Sequence, residues 1–462
     1  MHRIPFPFVA LIAVVIVCAL PSCTGDEAPL TPPNVILITM DTMRADHMSA
    51  YGYERHTSPR MDQFADSATF YSRSMASSPW TVPTHASLFS GRDPFEHGAH
   101  TLKAVGNTQP INLLYDGFLT MAEALEQEGF STGAFVANDG MLATRWNLDQ
   151  GFQTYHIERT LAENLNVRAF AWLDSVSAAG NPFFLFLNYM DTHKVYNTKP
   201  RPGFLDEPAI QDGGQLVDQL YQEVMPGVGP IPWELVQKVI DQYDTAVANL
   251  DEQIGVLVDR LREMGMYDNT MIILTSDHGE FFGEHHLVEH SKDVYQEVIW
   301  VPLVIKDPHQ HQGRRDDTVI SSSDIPYLIW SQFPEDVAGI YSAEFPNAPG
   351  NHPVITENYY SRAKDLFHPV WGKRFDRIRI AIYDWPYKYI HSTDGNPELY
   401  HLDYDDREAV NLIDKDRDRA QRMLTALRGY MDSRPSFKEQ IEQPPLSAEE
   451  LKKLKSLGYV GD

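Results

Sequence analysis

The chain has 462 residues, with 38 Lys and Arg against 64 Asp and Glu and a formal net charge of -26. The length suits one large domain with an appendage, or two to three domains, and a hydrophobic fraction of 43% is ordinary for a globular protein. The acidic balance argues against a nucleic-acid partner, because a phosphate backbone needs a basic surface, but it allows an anionic substrate in a locally positive pocket.

The N-terminus reads as a targeting segment. His2 and Arg3 precede an apolar run from Phe6 to Leu20, too short to span a bilayer comfortably, which ends Leu20-Pro21-Ser22-Cys23. That ending has the form of a bacterial lipobox. Residues 1–23 are therefore expected to be a lipoprotein-type signal peptide, with Cys23 lipidated, and residues 24–33 a polar tether. Cys18 leaves with the signal, so the mature chain keeps neither a free thiol nor a disulfide, and its stability rests on the core. The expected location is exported and membrane-anchored, periplasmic or cell-surface, with the outer membrane favoured by Thr24 after the cysteine.

Continuous apolar runs, the pattern of strands buried on both faces, occur at Val35–Met40, Ala134–Ala137, Phe183–Tyr189, Met271–Thr275 and Leu303–Ile305. Helical patterns lie between them, at Phe118–Gln127 and in a longer stretch, Leu235–Glu263. There Val239, Tyr243, Val247, Leu250, Ile254, Leu257 and Leu261 recur at three- and four-residue spacing. The alternation predicts an α/β fold over residues 34–345, a doubly wound, mostly parallel sheet flanked by helices. Asn197–Pro232 reads as a long loop of the kind that carries specificity. After about Pro346 the texture changes. Short strands at Ile378–Tyr383, Tyr387–His391 and Glu398–Leu402, then a helix at Arg417–Met431, predict a smaller antiparallel-sheet subdomain over residues 346–462. The tail Ser447–Leu457 reads as a surface helix with Ser447 as its N-cap.

In open α/β sheets, sites form beyond the carboxyl ends of the strands. The first strand ends in Met40-Asp41-Thr42, the strand from Phe183 in Met190-Asp191-Thr192-His193, and the strand from Met271 in Ser276-Asp277-His278-Gly279-Glu280. One such Asp is ordinarily a helix cap or a solvated loop residue. Three strands delivering acidic or imidazole groups at one end point to a metal and anion site. The segment Ser78–Gly91 adds a hydroxyl: Thr81 is expected at a helix N-cap, Pro83 in the first turn and Gly91 at the stop. A hydroxyl at a helix N-terminus faces free N–H groups and the positive end of the dipole, which stabilise an alkoxide and a bound oxyanion.

Several motifs together carry a family resemblance. Asn34–Tyr53, Thr81–Leu88, Pro94–Gly98, Thr275–Glu280 with Gly283-Glu284-His285 and His290, and Tyr295–Pro302 follow one another as they do in sulfatase-like proteins. Leu399–Leu402, Asn411-Leu412 and Leu457-Gly458-Tyr459 match the C-terminal landmarks, so the resemblance runs from about residue 33 to the end. The chain thus resembles the sulfatase branch of the alkaline-phosphatase superfamily. The resemblance implies a metal-dependent hydrolase of phosphate or sulfate esters. It implies one divalent metal ion held by Asp41, Asp277, His278 and the oxygen of Thr81, with Ca, Mn, Zn and Mg all compatible with that donor set. It makes Thr81 the nucleophile of a covalent intermediate, places His193 and His290 at the anion or leaving group, and sets His85 where most sulfatases have arginine. The implied partners are an anionic ester substrate, glycan- or lipid-linked esters included, and a membrane through the lipid anchor.

Three departures from the family pattern bear on chemistry. Thr81 stands at the Cys or Ser that sulfatases convert to formylglycine, and its methyl group bars an aldehyde. Thr42 stands at the usual second aspartate, and Gly133–Asn138 replaces a motif that supplies anion contacts. All three point to threonine-nucleophile relatives that act on phosphate esters. Two alternatives to hydrolysis are a phosphoethanolamine- or phosphoglycerol-type transferase and a non-catalytic glycan-binding homologue.

Overall fold

The computed structural model describes residues 32–106, 109–196, 199–204, 213–439, 441 and 446–456. The expected signal peptide, with Cys18 and Cys23, nearly all of the tether, and Leu457–Tyr459 lie outside the described residues. Among the described residues no helix is long and apolar enough to cross a membrane.

The apolar runs form the middle of an eight-stranded sheet. Its strands are β1 (Asn34–Met40), β2 (Thr69–Met75), β3 (Ser131–Val136), β4 (Thr154–Ile157), β5 (Phe183–Tyr189), β6 (Thr270–Thr275), β9 (Leu303–Lys306) and β10 (Arg314–Ser321). Two two-residue strands, β7 (Phe281–Phe282) and β8 (Val288–Glu289), pair separately. The order across the large sheet is β10-β2-β9-β6-β1-β5-β3-β4. Neighbours pair in parallel except around β9, which runs antiparallel to both β6 and β2. The expectation that Leu303–Ile305 is one more parallel strand is thereby corrected. An apolar run reports burial on both faces, not direction. Three strands of this sheet, β2, β4 and β10, escaped the sequence reading because each mixes polar residues into its run (Thr-Phe-Tyr-Ser-Arg-Ser-Met in β2).

Helices cover the sheet. The long amphipathic one spans Trp233–Glu263 and buries Val239, Tyr243, Val247, Leu250, Ile254, Leu257 and Leu261 along one stripe, as its spacing predicts. The helix expected at Phe118–Gln127 begins three residues later, at Met121. There the Thr120 hydroxyl accepts from Glu123 N and the Glu123 carboxylate accepts from Thr120 N, closing a capping box. The Asn197–Pro232 stretch is not all loop: it contains a helix, Gly213–Val224. The smaller sheet, in the order β11 (Ile355–Tyr359), β12 (Ile378–Asp384), β13 (Tyr387–Ser392), β14 (Glu398–His401), is antiparallel throughout and is followed by the helix Arg417–Asp432. Its apolar face packs against that helix through Ile380, Ile382, Leu399, Met423 and Leu427. In the tail, Ser447 caps the helix Ala448–Ser456 by accepting from Glu450 N.

Candidate active site and metal centre

Register brings the strand ends level. Thr39 of β1 pairs with Asn188 of β5 and with Thr275 of β6, and Val136 of β3 also pairs with Asn188. The residues just past these strands, Asp41, Asn138 and Ser276–His278, therefore leave the sheet side by side. Asp41, Asp277 and His278 are fully buried, and one ligand atom from each can be chosen so that all lie within 4.8 Å of one another.

Each carboxylate is gripped by one oxygen only. Asp41 Oδ2 accepts from Asn138 Nδ2 at 2.8 Å, and Asp277 Oδ1 accepts from the backbone N–H groups of His278 at 2.9 Å and Thr42 at 3.2 Å. The other oxygens, Asp41 Oδ1 and Asp277 Oδ2, are buried without a hydrogen-bond partner. Buried polar atoms are ordinarily satisfied, and an unpaired carboxylate oxygen is among the costlier exceptions. Burial, and then the neighbouring Asp41, push the Asp277 carboxyl well above its ordinary range. His278 donates Nδ1–H to Gly279 O at 2.9 Å, which leaves the Nε2 lone pair 3.4 Å from Asp277 Oδ2 and 3.5 Å from Thr81 Oγ. Two outward carboxylate oxygens, a bare imidazole nitrogen and an adjacent hydroxyl fit a divalent cation.

Thr81 is the first residue of the ten-residue helix Thr81–Ser90, one position inside the N-cap expected for it, which Trp80 takes in an extended conformation. Gly91 ends the helix in the left-handed region, φ 65°, as expected. His85, one turn on, is fully buried; its Nδ1 meets Thr81 O at 2.8 Å and its Nε2 meets Thr39 Oγ at 3.1 Å. Burial lowers its pKa to about 4, so the ring is neutral and both its nitrogens are spent on the protein.

His193 and His290 stand with ring centroids 5.4 Å apart, and His290 lies 4.5 Å from His278. His193 donates Nδ1–H to Lys194 O at 2.7 Å, and its Nε2 is buried without a hydrogen-bond partner. His290 Nδ1 meets Glu280 Oε1 at 3.0 Å. Burial lowers both imidazole pKa values, further for His290, whose neighbour His278 adds repulsion, and burial raises Glu280 to about 8.

All seven residues singled out from the sequence thus gather at one end of the sheet. Two others from the same strand ends do not face the site. Asp191 caps the helix Ala162–Ala179, accepting from Ala162 N at 3.0 Å, and Thr42 ties β1 to β5 by donating to Thr192 O at 2.6 Å. Asn138 and Glu280 were not assigned from sequence. Both follow carboxyl ends of strands, Asn138 in the segment that departs from the family's anion-contact motif, but the contacts that bind them to Asp41 and His290 form only in the fold.

Residues 33–333 match the family model described as Sulfatase. The chain is 24% identical over 458 residues to the uncharacterized sulfatase YidJ of Escherichia coli (strain K12), covering 87% of each protein. It is 22% identical to an arylsulfatase of Clostridium perfringens over 83% of this chain and 91% of that one. Among solved structures, the phosphonate monoester hydrolase of Agrobacterium radiobacter aligns with a TM-score of 0.63 and 20% identity, covering 87% of this chain and 96% of that one.

Proposed function

The chain belongs to the sulfatase family, a family of ester hydrolases, and from that membership we propose that it cleaves anionic phosphorus esters through a covalent Thr81 intermediate. The observation that carries this reading is the Thr81 hydroxyl at a helix N-terminus, 3.5 Å from His278 Nε2 and beside two carboxylates with unpartnered outward oxygens. Asp41, Asp277 and His278 would hold a divalent cation with the Thr81 oxygen. Such an ion supplies positive charge that acidifies the hydroxyl and offsets the ester's negative oxygens.

The chain's own groups perform the rest. Thr81 Oγ attacks phosphorus as the bond to the leaving oxygen breaks. The hydroxyl proton passes through an imidazole, His193 or His290, to the departing alcohol. Water then attacks the phosphorylated threonine, and one of its protons returns to Thr81. The free N–H groups at the helix N-terminus stabilise the charge on the non-bridging oxygens in both steps. The choice of phosphorus over sulfur follows from the nucleophile. Formylglycine releases sulfate by eliminating it from an aldehyde hydrate, whereas a sulfated threonine can turn over only by water attacking a poorly reactive sulfate ester.

A screen on bis(para-nitrophenyl) phosphate, para-nitrophenyl phenylphosphonate and para-nitrophenyl sulfate tests the reading. Turnover on a phosphorus ester should fall by about three orders of magnitude or more in Thr81→Ala. A preference for the sulfate, or wild-type turnover in Thr81→Ala, would overturn it. We further propose that the protein is exported and held at a membrane by lipid on Cys23, as Leu20–Cys23 suggests. Mass spectrometry of the mature N-terminus would reveal the lipid, and an unmodified N-terminus cut elsewhere would refute it.

A further inference from the structure

Thr81 and Asp41 stand on different elements, a helix and the end of β1, yet their separation must be held closely, since a displacement of about 1 Å costs about 100-fold in rate. A line of buried polar groups joins them. Asn138 Nδ2 donates to Asp41 Oδ2 at 2.8 Å, and Asn138 N donates to Asn188 Oδ1 at 3.1 Å. Asn188 Nδ2 donates to Thr39 Oγ at 3.1 Å, Thr39 Oγ meets His85 Nε2 at 3.1 Å, and His85 Nδ1 meets Thr81 O at 2.8 Å. Every member is inaccessible to solvent.

With a neutral His85, the hydrogens in this line have one consistent arrangement. A carbonyl only accepts, so His85 carries its proton on Nδ1. The neutral ring is then bare at Nε2, and the Thr39 hydroxyl must donate there. Its oxygen is thereby free to accept from the Asn188 amide, whose carbonyl accepts from Asn138. The polar residues are also conspicuous in sequence. Thr39 follows Val35, Ile36, Leu37 and Ile38 in β1, and Asn188 interrupts the apolar β5, and the two are register partners. A buried hydroxyl or amide in such a strand is costly unless paired, and here both are paired to each other and onward.

We infer that Thr39 is the keystone of a positioning strut, with Asn188 and Asn138 on one side and His85 on the other, that ties the Asp41 carboxylate to the backbone of Thr81. The inference deepens the function proposed above and rests on it. His85 acts through Thr81 and does not touch the substrate, although the family resemblance sets it where classical sulfatases have arginine.

Thr39→Val removes the hydroxyl while keeping the side-chain shape, and Thr39→Ser keeps the hydroxyl. On the phosphorus ester turned over fastest, Thr39→Val is expected to lose about 10- to 100-fold in kcat with KM within about twofold, and Thr39→Ser to recover most of kcat. Heteronuclear NMR of histidine-labelled protein, with His85 assigned through His85→Gln, needs no turnover. It should show wild-type His85 protonated at Nδ1 and bare at Nε2. A wild-type kcat in Thr39→Val, or a His85 ring protonated at Nε2, overturns the strut. Full turnover in Thr81→Ala would instead overturn the nucleophile reading on which the strut rests.

Discussion

Two buried acidic clusters lie close together in this protein and are built on opposite plans. At the first, Asp41 and Asp277 face each other with unpartnered oxygens and no lysine or arginine paired to either among the described residues. At the second, Glu289 is ringed by Lys194 at 3.0 Å, Lys364 at 3.1 Å, Lys292 at 3.8 Å and Arg362, and Asp365 pairs with Lys292 at 3.2 Å and Arg362 at 3.4 Å. Burial alone would raise Glu289, but Lys364, Arg362 and Lys194 outweigh it and hold the carboxyl well below its usual range; burial raises Asp277 with nothing to oppose it but backbone N–H groups. Charge that the chain neutralises itself is scaffolding. Charge that it buries and leaves uncompensated is where a cation from outside belongs.

The second cluster is also what assembles the surroundings of the first. Lys194 follows His193, Glu289 precedes His290, and Arg362, Lys364 and Asp365 come from the segment after β11. Tyr221 of the helix Gly213–Val224 donates to Asp365. The ion pairs and this hydrogen bond thus draw four separate segments around the two histidines.

The contrast can be broken most severely at the first cluster. Asp277→Ala and Asp41→Ala should each lose bound divalent metal by elemental analysis and about three orders of magnitude in turnover, while staying folded, because removing one carboxylate relieves repulsion in the metal-free protein. Full metal occupancy in both variants would sink the assignment. At the second cluster the expectation inverts. Glu289→Gln leaves buried cations without their counter-charge and should destabilise the fold by about 3–5 kcal/mol in denaturant melts, with metal uptake unchanged. Lys364→Met removes a partner whose side chain is 23% exposed and should cost only about 1 kcal/mol, since solvent already screens it.

Acid sharpens the same contrast. The folded pKa of Glu289 lies below its unfolded value, so its contribution to stability is fully present above about pH 4.3, the ordinary glutamate value, and is lost as pH falls through the folded pKa. Thermal melts below that point should drop more steeply for the wild type than for Glu289→Gln. Parallel curves would show that Glu289 is not the group responsible.

The first cluster was largely legible in the sequence and the second was not. Asp41, Asp277 and His278 announce themselves because each follows an apolar run, and side chains just past strand ends share one edge of the sheet wherever the strands are parallel and level. Thr81 was legible by its place before Pro83 and ahead of Gly91, though its position one residue inside the N-cap was not. Little local marks Glu289: Lys292 lies three residues on, but the other three cations come from positions 194, 362 and 364, and charged residues at such separations read as solvated surface until the chain is folded. The direction of β9, the pairing of Thr39 with Asn188, and the use of Asp191 as a helix cap were likewise decided only in three dimensions. Periodicity and strand-end position are properties of neighbouring residues, so the sequence by itself determined the sheet's core strands and the groups at their ends. Which carboxylate receives a cation from the chain and which is left to receive one from outside depends on segments far apart in sequence meeting in space, and only the tertiary structure decided it.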